Sequence, residues 1–142
     1  MQLAFWDSSS LVPLCVRQQP SKTVRELTLQ YGLVVWWSTP AEMRAAFARL
    51  LRMGELTEIE HLGARQALDQ LRLSWRELQP TEPLRAQAEA LIDRFPLKAA
   101  DALQLAAALA WCMDRPTHRP FISGDKQLIS AASQLGFHAI LS

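Results

Sequence analysis

Hydrophobic positions in this chain alternate between short apolar runs and longer stretches with helical spacing. The short runs are rich in β-branched and aromatic residues, which is typical of buried strands. They predict strands at LAFW (3–6), LVVWWS (33–38), RPFISGD (119–125) and FHAILS (137–142). The stretch SWRELQP (74–80) fits either the end of a helix or a short strand.

Helices are predicted between these strands from the spacing of apolar residues and from capping residues. Ser21 is a candidate N-cap and Gly32 a candidate stop for the second helix, and Thr39 is a candidate N-cap followed by Pro40. The predicted helices cover residues 8–17, 21–32, 39–54, 57–73, 81–95, 98–111 and 126–136. Strands separated by helices need crossover connections, so we expect an α/β fold whose mostly parallel sheet is covered on both faces.

The composition fits one ordinary globular domain over residues 1–142. Lys and Arg number 15 and Asp and Glu number 14, and the resulting net charge of +1 argues against a strongly basic nucleic-acid coat protein. A local basic rim is still compatible with this balance. The pattern shows no signal peptide and no apolar run long enough to span a bilayer, so we expect a cytoplasmic, reducing setting and no membrane contact.

The cysteines and histidines offer little chemistry. Cys15 and Cys112 lie in apolar helical stretches, which favours buried free thiols over a disulfide or a metal role. The three histidines are isolated from one another, and none has the spacing of a zinc ligand.

Three acidic residues lie where predicted strands end and the following helices begin. Asp7 directly follows the first predicted strand, Glu42 lies in the first turn of the helix after the second strand, and Asp125 lies just past the third. Parallel α/β sheets bind ligands outside the carboxyl ends of their strands, so we expect these side chains to lie at that edge.

A fourth acid, Asp101, lies near the start of the helix in PLKAADALQLAAALAW (96–111). Over residues 99–111 the only polar residues are Asp101 and Gln104. A helix that is apolar on all sides is normally buried, and a carboxylate on it needs a partner to offset its desolvation. Asp101 joins the other acids if its helix begins at the same edge.

Each acid also has a purely structural explanation, because acids are favoured at helix starts. Asp7 and Asp125 fit N-caps, Glu42 fits a capping box with the N-cap of its helix, and Lys98 fits an ion pair with Asp101. Gathered at one edge, however, four carboxylates would repel one another and their pKa values would rise unless a cation lay between them. Oxygen ligands of this kind favour Mg²⁺ or Mn²⁺.

Four segments resemble, in order, the acidic motifs of PIN-domain proteins, and the branch they resemble is the VapC-type ribonuclease toxins of toxin–antitoxin pairs. These segments are AFWDSSSLVPL, TPAEMRAAFARL, KAADALQLAAALA and FISGDKQLISAASQLGF, and the resemblance covers essentially the whole chain. It implies a three-layer α/β/α sandwich with a parallel sheet of four to five strands. It also implies a Mg²⁺- or Mn²⁺-dependent endoribonuclease, a homodimer and an antitoxin partner.

Carried over residue by residue, the resemblance makes Asp7, Glu42 and Asp101 the acidic triad and Asp125 the fourth acid, so that all four are both catalytic and metal-binding candidates. Ser9 and Ser123 match hydroxyls that would order a metal ligand or its water. Three positions depart from the family pattern: Gln104 stands where a His is often found, Gln127 where some members carry a further acid, and Ser123 where Thr is commoner.

The implied reaction is hydrolysis of an RNA phosphodiester by a metal-activated water, which leaves a 5′-phosphate and a 3′-hydroxyl. Lys98 and Lys126 flank two of the acids and are candidates to touch the RNA backbone, although exposed surface lysines would look the same. The alternative function is a catalytically silent PIN-like domain that binds RNA or protein. A haloacid-dehalogenase phosphatase is disfavoured because that chemistry needs an acid where Ser9 stands.

Five tryptophans invite a base-stacking role. Trp6 and Trp36 fall in strand patterns and Trp111 in the apolar helix, so we expect these three in the core. The positions of Trp37 and Trp75 stay open at this stage.

Overall fold

A computed structural model describes residues 1–16 and 22–142, with the side chain of Lys22 left out. Its centre is a five-stranded sheet in the order β3-β2-β1-β4-β5. Every neighbouring pair of strands is parallel. The strands are β1 (Gln2–Trp6), β2 (Tyr31–Trp36), β3 (Arg76–Leu78), β4 (Pro120–Ser123) and β5 (His138–Leu141). The expected number and direction of strands are therefore confirmed.

Helices cover both faces of the sheet and complete a three-layer α/β/α sandwich, as expected. The helices are α1 (Ser8–Cys15), α2 (Lys22–Gln30), α3 (Thr39–Arg52), α4 (Glu58–Arg72), α5 (Glu82–Arg94), α6 (Ala99–Trp111) and α7 (Lys126–Leu135). Helices α1 to α4 supply one buried cluster and α5 to α7 the other.

The alternation of side chains along β1 shows how the sheet feeds both layers, because successive residues of a strand point to opposite faces. Phe5 packs in the cluster of α5 to α7 and stacks on Phe121, with ring centroids 5.6 Å apart. Ala4 and Trp6 pack in the cluster of α1 to α4. All four residues are fully buried.

The strand order creates a switch point beside β1. The chain adds β2 and β3 on one side of β1 and β4 and β5 on the other, so a crevice opens between the carboxyl ends of β1 and β4. There the Asp7 backbone amide donates to the carbonyl of Ile122 at 2.9 Å. The residues that follow these two strands are thereby fixed side by side.

Two helix boundaries differ from those expected. Gly32 does not stop α2, which ends at Gln30, because Gly32 already pairs with Leu3 inside the sheet. A Cβ on Gly32 would lie 2.8 Å from the end of the Leu3 side chain, so a larger residue here would make Leu3 shift. The proposed cap Ser21 lies outside the described residues.

The N-cap of α3 is Ser38 rather than Thr39, which is the first helical residue and is fully buried. The ambiguous segment 74–80 contains β3, a three-residue strand at the edge of the sheet beside β2.

The tryptophans follow the expectation where one was made. Trp6 and Trp36 are buried, and Trp111 packs partly buried against the core with the Arg119 guanidinium 4.2 Å from its ring centroid. Trp75 packs partly buried against the cluster of α1 to α4, whereas Trp37 is 53% exposed.

Both cysteines are free and buried, as expected. They cannot pair because Cys15 belongs to the cluster on one face of the sheet and Cys112 to the cluster on the other. Burial raises the pKa of the Cys15 thiol to about 12. Within the described ranges, no helix is both long enough and apolar enough to cross a bilayer.

Helix α6 allows a direct test of how tightly its layer packs. Ala108 is fully buried, whereas Ala110 on the same helix is exposed. We expect Ala108→Leu to lower the free energy of unfolding by about 1–3 kcal/mol because the larger side chain overpacks its site. Ala110→Leu should change it by less than about 0.5 kcal/mol. Urea unfolding followed by circular dichroism measures both, and equal stabilities would show that α6 is loosely packed at Ala108.

Candidate metal centre

Four acids meet at the carboxyl edge of the sheet, and we call Asp7, Glu42, Asp101 and Asp125 the carboxylate cluster. Asp7 follows β1, Asp125 follows β4 by two residues, and Glu42 and Asp101 lie in the first turns of α3 and α6. The four side chains are close enough to interact electrostatically. The negative charges of Asp7, Asp125 and Glu42 each raise the pKa of Asp101.

Asp7 is the most deeply placed member, with 3% of its surface exposed. It occupies the N-cap position of α1 but makes no capping hydrogen bond with its side chain. Its Oδ2 instead accepts from the hydroxyl of Ser9 at 2.5 Å and from the hydroxyl of Ser123 at 2.8 Å. Burial raises the pKa of Asp7, and these two hydrogen bonds act in the opposite direction. Hydrogen bonds from the backbone of Ser9 and Ser8 also lower the pKa of Asp7, but no capping hydrogen bond is formed, and the two serine hydroxyls are its main partners.

Ser9 and Ser123 join the two sides of the switch point. Their hydroxyl oxygens lie 3.3 Å apart, and the Ser9 hydroxyl also accepts from the Gly124 amide at 3.0 Å. The Ser123 hydroxyl accepts from the Asp125 amide at 3.0 Å. Both serines expected to support the site therefore contact Asp7, while their role in ordering a metal ligand stays a prediction.

Glu42 is held by three side-chain donors from three different elements. Its Oε1 accepts from Ser8 at 3.1 Å, and its Oε2 accepts from Ser38 at 2.5 Å and from Gln104 Nε2 at 3.1 Å. Burial is the main cause of its raised pKa, the charge of Asp7 adds to the rise, and the three hydrogen bonds oppose it. This set of partners replaces the capping box, which required a bond from Glu42 back to the backbone of Thr39.

Asp101 has no hydrogen bond to its side chain within the described residues, and its environment is the most repulsive. Burial and then the charges of Asp7, Asp125 and Glu42 raise its pKa to about 6, and Lys98 lowers it. Lys98 is exposed and forms no ion pair with Asp101 in this part of the chain, so the ion-pair explanation is wrong.

Asp125 does cap a helix. Its Oδ1 accepts from the amides of Gln127 at 2.8 Å and Leu128 at 3.2 Å at the start of α7. The capping explanation is confirmed for this acid, and a metal role for Asp125 would have to use its other oxygen. Lys126 is exposed beside it, and its contact with RNA stays a prediction, as does that of Lys98.

Several partners of the cluster were not found from the sequence. Ser8 and Ser38 donate to Glu42, and the fully buried Gln104 bridges Glu42 and the hydroxyl of Thr39, at 3.2 Å from the latter. Ser8 and Ser38 each stand at a strand end beside a site element, and Gln104 is polar in an apolar helix. These positions in the sequence are the features that could have identified them as partners of the site.

The donor set fits a hard divalent cation in its chemistry. All candidate ligands carry oxygen, none of the four acids is paired with Lys or Arg in the described ranges, and the Oε1 of Gln104 is buried without a partner there. Across residues 1–16 and 22–142, however, no three acidic, histidine or cysteine side chains are close enough to form a ready-made ion cage. The carboxylates are therefore close enough for their charges to interact but farther apart than the ligands of a bound metal ion. Binding of a cation at this place would require them to move closer together.

Three solved structures are similar to this fold. A chain of a toxin–antitoxin complex from Klebsiella pneumoniae is 14% identical, with a TM-score of 0.64 over 87% of this chain and 88% of that one. A chain of FitAcB from Neisseria gonorrhoeae is 18% identical, with a TM-score of 0.65 over 97% and 96%. FitAB bound to the IR36 DNA fragment gives 18% identity and a TM-score of 0.65 over 98% and 94%. No protein-family model matches the chain, and no curated protein is significantly similar to it.

The raised pKa of Asp101 makes stability depend on pH. The value rises from an ordinary 3.8 to about 6, so the folded protein holds the proton more tightly than the unfolded chain. Ionisation of Asp101 therefore destabilises the fold as the pH rises through this window. We expect Asp101→Asn to raise the melting temperature in EDTA above about pH 7 and to change it little below about pH 4.

The exposed Asp93 on α5 supplies the matched control. Asp93→Asn should leave the pH dependence of the melting temperature as it is in the wild type. If Asp101→Asn destabilised the protein at neutral pH, the repulsion within the carboxylate cluster would be refuted.

Proposed function

We propose that this chain is a Mg²⁺- or Mn²⁺-dependent endoribonuclease of the PIN-domain type and the toxin of a toxin–antitoxin pair. The observation that carries the proposal is the carboxylate cluster itself. Asp7 and Glu42 are buried or half-buried, have raised pKa values and lie at the switch point without a basic partner in the described residues. Such an arrangement is costly unless it serves a cation.

The shared fold supports the proposed setting. A chain of a toxin–antitoxin complex from Klebsiella pneumoniae shares this architecture over 87% of this chain, which agrees with an antitoxin as partner. RNA as the substrate, the homodimer and the PIN assignment follow from the resemblance of the four acidic motifs.

In the proposed mechanism, Asp7, Glu42 and Asp101 hold the cation, and Asp125 completes the negative edge. The bound ion would lower the pKa of a water molecule and offset charge on the scissile phosphate. The hydroxyls of Ser9 and Ser123 keep one oxygen of Asp7 occupied and so fix the direction of the other. Ser38 and Gln104 do the same for Glu42. Lys98 and Lys126 would contact the RNA backbone from the exposed rim.

A catalytically silent domain is the second candidate, because the described residues contain no ready-made cage of three ligands. It would bind RNA or protein through the same edge without cleaving. The two predictions below separate the candidates, since only the enzyme needs both metal and an ionised Glu42.

Metal binding should stabilise the native protein. We expect saturating Mn²⁺ or Mg²⁺ to raise the melting temperature of the wild type, because the ion binds the folded state alone. Asp101→Ala should lose most of this shift in melting temperature. Asp93→Ala, at an exposed position of α5, should keep it. Differential scanning fluorimetry measures all three. An equal shift in Asp101→Ala and the wild type would remove Asp101 from the centre.

Glu42→Gln should separate folding from chemistry. The amide can keep its oxygen toward Ser38 and Gln104 and turn its NH₂ toward the Ser8 hydroxyl, so the fold is retained. It loses the charge that holds a hard cation, so RNA cleavage should fall by about two orders of magnitude or more. Digestion of total RNA with Mn²⁺ at matched protein concentration checks this, with the exposed Glu89→Gln as control. Normal cleavage by Glu42→Gln would limit Glu42 to a structural role.

A further inference from the structure

A cavity of about 350 Å³ opens at the carboxyl edge of the sheet, where β2 ends and where the chain passes from β3 to α5, and it plays no part in the proposed chemistry. We call it the Trp36 pocket. Trp36 at the end of β2, Leu84 on α5 and Leu103 on α6 form its apolar wall, and Glu82 and Arg85 of α5 line it as well. It is a partly apolar recess with charged groups at hand, as small-molecule subsites commonly are.

Two residues of the pocket are close in sequence to residues of the proposed cleavage site. Leu103 follows Asp101 by two residues on α6, and Trp36 precedes Ser38, the donor to Glu42, by two residues. The recess and the carboxylate cluster thus share the carboxyl edge of the sheet, and a single strand of RNA that crosses this edge would contact both.

An exposed aromatic ring accompanies the pocket. Trp37 is 53% exposed, and its ring centroid lies 6.5 Å from that of Trp36 in an edge-on arrangement. Its backbone amide donates to the carbonyl of Leu78 at 3.0 Å, which fixes the chain that carries the ring. Unpaired bases of RNA stack on such rings, and bases of a duplex are not available to do so.

The polar groups of the pocket are one buried donor without a partner and one exposed ion pair. The indole Nε1 of Trp36 is buried without a hydrogen-bond partner among the described residues, which is uncommon in native proteins. Glu82 and Arg85 pair only with each other there, and their side chains are 79% and 66% exposed. A carboxylate and a guanidinium in this state can exchange their mutual bond for the donors and acceptors on a base edge.

We propose that the Trp36 pocket and Trp37 form a subsite for one unpaired nucleobase of single-stranded RNA, adjacent to the scissile phosphate. The proposal rests on the proposed ribonuclease function. The base stacks on Trp37 and extends toward the recess, where Glu82 and Arg85 contact its edge. The subsite would make the enzyme prefer single strands and favour one base at a fixed distance from the cut.

The test measures RNA binding separately from cleavage. Fluorescence anisotropy with a labelled single-stranded RNA of mixed sequence is recorded in EDTA for the wild type, Trp37→Ala and Leu103→Trp, which fills the recess. Ile59→Ala is the control, because Ile59 is 83% exposed on α4, whose cluster is on the other face of the sheet. We expect Trp37→Ala and Leu103→Trp to bind roughly tenfold more weakly and Ile59→Ala to bind normally. Circular dichroism confirms folding, and the exposed Trp37 keeps the test usable if Leu103→Trp fails to fold.

A second readout maps cleavage positions on the same RNA with Mn²⁺. The wild type should show a preferred base at one position from the cut, and the two subsite variants should lose that preference. Equal binding and an unchanged preference in Trp37→Ala would overturn the subsite while leaving the ribonuclease intact. Binding that weakens in the variants of a protein that never cleaves would support the subsite and refute the nuclease. No RNA binding by the wild type in EDTA together with no cleavage in Mn²⁺ would overturn both.

Discussion

Repulsion among carboxylates that the fold holds at one edge is the constraint on which the rest of this structure depends. Asp7 sits at the end of the central strand, where burial raises its pKa, and its charge in turn raises the pKa values of Glu42 and Asp101. Serine hydroxyls from both sides of the switch point hold one of its oxygens. These bonds reduce the cost of the buried charge but do not neutralise it, and this uncompensated charge is the ground for the proposed cation. The parallel topology supplies the convergence, since the ends of β1 and β4 meet there.

The apolar character of α6 follows from the same constraint. Its alanines and leucines pack in the buried cluster of α5 to α7. This packing fixes the helix so that Asp101, in its first turn, lies near the other acids. Gln104, one turn further along, is the other polar residue of the helix and ties it to α3 through Glu42 and Thr39. An otherwise apolar helix therefore carries its two polar groups where the site needs them.

Much of the architecture could be predicted from the sequence because strand runs and helix periods are local patterns. The four main strands were predicted this way, and the expected parallel α/β class is confirmed. What failed depended on contacts between distant segments. Gly32 looked like a helix stop, but its close approach to Leu3 is set by strand pairing. Glu42 looked like part of a capping box, but donors from α1 and α6 bind it instead. Only for Asp125 did the local explanation hold.

The central claim is that the carboxylate cluster is a divalent cation site. Crystals soaked in Mn²⁺ and measured at a wavelength with strong anomalous scattering test it most directly. The account predicts an anomalous peak at the carboxyl edge of the sheet, within about 2.0–2.3 Å of carboxylate oxygens from Asp7 and Asp101. Full-occupancy Mn²⁺ bound elsewhere, with no peak between these two side chains, would contradict it.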